Sequence, residues 1–143
     1  MTLPLVLSLL LIYSGVGLFQ QNLTYTAVDT ELSFWGRGKY QPDAQTIALT
    51  GASINALLRH NPRHPDYLAS QAYYTAWQGY RALDGAERER LNEQALASQY
   101  QALLARPAER QGWLTMLEYG SRITSGEPMR QLAQSRLQAL ALD

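Results

Sequence analysis

The chain contains no cysteine, a single lysine and only two histidines among its 143 residues, and no charged side chain occurs before Asp29. Without cysteine there is no disulfide framework, no thiolate zinc site and no cysteine nucleophile. Twelve basic residues balance twelve acidic ones. Zero net charge gives no electrostatic case for wrapping nucleic acid. Eleven of the basic residues are arginines scattered singly, which makes a solvated surface and no phosphate-binding stripe. No glycine-rich phosphate loop, nucleophile elbow or zinc-protease helix motif occurs. Charged residues make up only 17% of the chain and aromatics reach 10%, a balance that excludes strong disorder. The length suits one modest domain with its own core.

From Leu3 to Phe19 the chain is almost wholly apolar, and only Ser8, Tyr13 and Ser14 carry polar atoms. Such a run as a helix spans roughly 25 Å, at the short end for one pass through a bilayer. Residues 1–22 are therefore expected to form a transmembrane anchor or uncleaved signal, with Gln20, Gln21 and Asn22 at the interface. A cleaved signal ending near Ser14–Gly17 competes, as does a buried core helix. The short N-terminal tail suggests that everything after Gln20 is exported. Asn22-Leu23-Thr24 matches a glycosylation sequon, a match common by chance.

Residues 23–143 carry helical periodicity and no sustained alternation. Tyr25, Val28, Leu32 and Trp35 share a face, and Gly36-Arg37-Gly38 ends that helix. Pro42-Asp43 opens a second helix with Ile47, Gly51, Ile54 and Leu58 as its stripe. Asn61-Pro62 stops it and Pro65-Asp66 starts a third, running to about Leu83. Asp84-Gly85 turns into a helix from Ala86-Glu87 to Arg106-Pro107. Another carries Trp113, Leu117 and Gly120 as far as Ser125-Gly126, and the last begins at Glu127-Pro128. Five to six helices with short loops describe antiparallel hairpins. The pattern also repeats. Ala56-Leu57-Leu58 returns as Ala102-Leu103-Leu104, Tyr67-Leu68 as Trp113-Leu114, and Tyr73 as Tyr119, each 46 residues on. The expected fold is all-α, an N-terminal transmembrane helix followed by tetratricopeptide-like hairpins, with a generic helical bundle as the alternative.

In the third helix Leu68, Ala72, Ala76 and Gly79 share about half the circumference with Tyr73, Trp77, Tyr80 and Leu83. This helix is either sandwiched between neighbours or exposes aromatic surface. The functional version has Tyr73, Tyr74, Trp77 and Tyr80 bordering a groove for a peptide or glycan. His60 and His64 are separated by Pro62 and do not share a helix face, so a polar turn is favoured over a metal site. Glu87-Arg88-Glu89-Arg90 reads as first-turn acids and surface pairs. Asp29 and Glu31 lack an apolar pocket that would raise a pKa. These residues predict a non-enzymatic protein, with no catalytic residue, cofactor or metal.

The segment Glu31-Leu32-Ser33-Phe34-Trp35-Gly36 resembles the VpsP family of bacterial exopolysaccharide biosynthesis proteins. These are small, with an N-terminal membrane segment followed by tetratricopeptide-like helices. The resemblance extends through Asn61-Pro62, Tyr67-Leu68, the aromatic patch around Trp77, and Leu104-Ala105-Arg106-Pro107. It departs at Ala108–Trp113, where the family places a Trp and a second aromatic closer to the Arg-Pro pair. The resemblance implies an inner-membrane accessory subunit with a periplasmic helical domain, holding partner proteins of a polysaccharide machine or nascent glycan. Glu31, Phe34 and Trp35 are the first candidates for a protein contact, and Tyr73, Tyr74, Trp77 and Tyr80 the second. Packing of Leu32 and Trp35 against the first hairpin is the structural alternative. A pilus or secretion adaptor and a glycan-binding protein are the competing functions, and self-association could cover exposed end faces.

Overall fold

A computed structural model describes the backbone of residues 3–141 and the side chains of residues 15–141. The described residues form six α-helices, one short 3₁₀ turn and no strand. They are α1 (Leu3–Phe34), α2 (Ala44–His60), α3 (Pro65–Arg81), α4 (Gly85–Ala105), α5 (Arg110–Gly120) and α6 (Glu127–Ala139), with Thr124–Gly126 as the 3₁₀ turn. The chain divides into two compact units, one ending at Leu57 and the other beginning at Leu58.

In the first unit, α1 continues unbroken through position 22. The side chains of 3–14, which hold most of the apolar run, lie outside the described residues. Among the described residues no helix is long and apolar enough to cross a membrane, so the expected transmembrane helix gains no support from them. Toward its C-terminus α1 buries Val28, Leu32 and Trp35, one stripe at helical spacing. Thr46 donates its backbone N–H to Asp43 Oδ1 at 2.7 Å, a side-chain cap on the start of α2. That bond is also the main reason the Asp43 carboxyl is held below its ordinary value. α2 buries Thr50, Gly51, Ile54 and Leu57. The expected stripe is thus rotated, since Ile47 and Leu58 are only half-buried.

The second unit is built in series. α3 packs on α4, α4 on α5, and α5 on α6. The α3–α4 contact is made by small residues: Ala72, Ala76 and Gly79 face Ala95 and Asn92. A Cβ on Gly79 would sit 3.2 Å from both side-chain polar atoms of Asn92, so glycine here permits the close approach. The bidentate pair of Arg106 with Asp66 ties the end of α4 to the first turn of α3, with Nη2 to Oδ2 at 2.8 Å. At the next joint Leu103, Trp113 and Met116 form the densest part of the core. The buried Gln99 amide donates to Gly112 O at 3.2 Å, and the Trp113 indole donates to Pro107 O at 2.8 Å. Burial pushes the Tyr119 hydroxyl well above its ordinary range. Glu89 and Glu93 of α4 accept from Thr124 N and Ser125 Oγ, fastening the 3₁₀ turn.

Three sequence expectations are corrected. α3 ends at Arg81, two residues before Leu83, which is fully exposed. α5 ends at Gly120, earlier than expected, because the chain must turn before Gly126, whose Cα lies against the Gly120 carbonyl. The repeat spacing also shifts by one. The turns Asn61–His64 and Arg106–Glu109 share a closing bond, His64 N to Asn61 O at 3.2 Å and Glu109 N to Arg106 O at 3.1 Å. They lie 45 residues apart and bring Pro62 onto Pro107. At that spacing all four buried positions of α2 fall on Ala95, Leu96, Gln99 and Ala102, which are buried in α4. Letter identity at 46 followed the Ala-Leu-Leu triplets, whereas backbone geometry follows the prolines.

Candidate functional site

The segment joining α1 to α2 is organised by Glu31. Its Oε1 accepts from the Trp35 indole at 2.9 Å and from the Tyr40 hydroxyl at 2.5 Å. One carboxylate oxygen therefore fixes the end of α1 and a residue beyond the turn. The same bond is the first reason that the Tyr40 hydroxyl is raised above its ordinary value. Between them, Gly36 at φ 74° and Gly38 at φ 59° adopt left-handed backbone, which a side chain would disfavour. Leu32, Trp35 and Pro42 are buried.

This corner divides the first set of candidates. Glu31 is half-buried and engaged twice, and Trp35 is 2% exposed. Both have structural jobs. Phe34 points the other way, 52% exposed, and meets the Tyr40 ring edge-on at a centroid distance of 6.3 Å. Tyr40, Arg37 and Lys39 are exposed beside it. These three were not singled out in the sequence. The only signal available was that they flank two glycines, which marks a turn but not its outward face.

The second set lies on α3. Tyr73, Trp77 and Tyr80 fall within about 60° of one another around the helix. Tyr80 is 73% exposed, Tyr73 is partly exposed, and Trp77 is half-buried against Tyr80 with ring centroids 5.9 Å apart. Tyr74 is half-buried on another face, where its hydroxyl accepts from Gln78 Nε2 at 3.2 Å and burial raises its pKa. The α3 aromatics thus separate into an open flank and one inward tyrosine. The open flank arises because α4 contacts the small-residue face of α3.

His64 stacks on Tyr67 at 4.0 Å and its Nδ1 lies 3.9 Å from Asp66. His60 is exposed. Among the described residues no group of three or more metal-ligating side chains comes together.

No protein-family model matches the chain, and no curated protein and no solved structure matches it.

Proposed function

We propose that this protein is a non-enzymatic adaptor of bacterial exopolysaccharide biosynthesis or export, working through protein contacts of its helical domain. In this reading residues 1–22 anchor it in the inner membrane, and residues 23–143 form a tetratricopeptide-like array in the periplasm. The observation that carries the reading is the serial packing of α3 to α6, each on its chain neighbour. Such packing buries one face of each helix and leaves flanks for partners. The Tyr73–Trp77–Tyr80 flank is one such surface. The closing bond shared by the turns at Asn61–His64 and Arg106–Glu109 supports a repeat origin. The polysaccharide assignment rests on the Glu31–Gly36 resemblance, and the anchor on the apolar run. Anchoring would raise the effective concentration of the array near its partners.

Tagged full-length protein, purified from gently solubilised membranes of its host, tests the proposal. Co-purifying polymerase, flippase or glycosyltransferase components are the expected result. Pilus or secretion components in their place would overturn the polysaccharide assignment and keep the adaptor. A glycan-binding reading has one observation behind it, the exposed Tyr80 ring beside Trp77, since aromatic faces suit sugars. A folded variant carrying Trp77→Ala and Tyr80→Ala that loses polysaccharide binding would favour it.

A further inference from the structure

The segment from Glu31 to Asp43 is electroneutral in sequence, with two acids and two bases, but its folded surface is not. Glu31 is half-buried and accepts from Trp35 and Tyr40. Asp43 is taken up by the backbone N–H of Thr46 at the start of α2. The acids are spent inside the fold, and the bases are left outside. Among the described residues the side chains of Arg37 and Lys39 make no hydrogen bond or ion pair, and both are exposed. They flank the exposed Phe34–Tyr40 edge pair. Asp29, the nearest other acid on α1, lies about 140° around the helix from Phe34 and faces a different way. Left-handed Gly36 and Gly38 and the doubly bonded Glu31 fix this backbone before any partner arrives, so little ordering cost is left to meet on binding.

We propose that Phe34, Arg37, Lys39 and Tyr40 form a docking site for an acidic protein segment carrying an apolar side chain. The apolar group would cover Phe34 and Tyr40, and its carboxylates would meet Arg37 and Lys39. This deepens the adaptor reading and rests on it for the choice of protein over lipid. With an anchor ending near Phe19, Phe34 stands about 22 Å further along the same helix, beyond the headgroups of an upright span.

The test places a benzophenone amino acid at Phe34 in the full chain, irradiates membranes of the host, and sequences the cross-linked segment. A second chain carries the same group at Asp29. The expected result is capture from position 34 and not 29 of a protein segment with net negative charge. Yield should fall about tenfold in a chain that also carries Arg37→Glu and Lys39→Glu, and should fall steeply as salt rises from about 0.05 to 0.3 M. Thermal unfolding matching the parent shows that the charge reversals left the fold intact; otherwise Arg37→Gln with Lys39→Gln replaces them. Lipid adducts, a neutral or basic captured segment, equal capture from position 29, or a yield indifferent to charge reversal each overturn the site. An acidic segment from a protein outside any polysaccharide machine upholds the site while overturning the polysaccharide assignment. A polysaccharide component caught through a neutral segment does the reverse.

Discussion

Leu103 and Leu104 are adjacent, identical, and opposite in fate: 1% and 58% exposed. Leu103 lies in the cluster with Trp113 and Met116, and its Cδ2 would be only 2.6 Å from a Cβ on Gly112. Leu103→Ala should therefore cost about 2–5 kcal/mol. A unit of this length is stable by roughly 4–13 kcal/mol in all. At about 4–8 °C per kcal/mol the melting temperature should fall by about 10–30 °C. Leu104→Ala should stay within about 0.5 kcal/mol. Gly112→Ala supplies a sharper check, because its sign depends on Leu103. Alone, it gains about 1 kcal/mol of helix propensity. It also overpacks Leu103 at a cost of about 1–3 kcal/mol, so the net change is neutral to about 2 kcal/mol unfavourable. In the Leu103→Ala background the new methyl enters the vacated space, and the same substitution should stabilise by about 1 kcal/mol or more. Thermal unfolding of the four chains by far-UV circular dichroism reads all of this. Equal shifts for the two leucines would refute the placement of Leu103 in the core. Additive effects of the two core substitutions would refute the α4–α5 contact.

Glu31→Ala removes the acceptor of both Trp35 and Tyr40; leaving the buried indole N–H unmatched should cost about 1–3 kcal/mol. Urea unfolding followed by tryptophan fluorescence measures it, and an unchanged midpoint would show that Glu31 does not hold the corner. Asp43 has its carboxyl pKa lowered in the fold. Its contribution is present above the unfolded carboxylate value and is lost as pH falls through the lower folded value. Asp43→Asn, which keeps a capping oxygen, should flatten this acid dependence in a pH series of melts, whereas Asp43→Ala should destabilise α2 at neutral pH as well. Gly126→Ala would place a Cβ 2.0 Å from the Gly120 carbonyl oxygen. Backbone cannot yield as a leucine tip can, so this variant should melt lower than Gly112→Ala; the reverse order would contradict the close approach of the two glycines.

The all-helical architecture was legible in the sequence because proline, glycine and capping acids punctuate it. Pro42-Asp43, Pro65-Asp66, Asp84 and Glu127-Pro128 all stand at or beside helix starts, where a missing N–H or an added acid is favourable. The Val28, Leu32, Trp35 stripe was equally readable, since it needs only helical spacing. Tertiary structure decided what spacing leaves open. On α3 the tyrosines and the small residues compete for the same neighbour, and α4 approached the Ala72–Ala76–Gly79 side because only small residues allow that distance. This is what turned Tyr73 and Tyr80 outward. At the α1–α2 corner the sequence shows Phe34-Trp35 as equivalent aromatics and Glu31 as an exposed acid. Only the return of the chain at Tyr40 places a second donor on Glu31. That return leaves Trp35 in the core, Phe34 in solvent and two cations facing out, because a carboxylate already hydrogen-bonded inside the fold is not available to pair with Arg37 or Lys39.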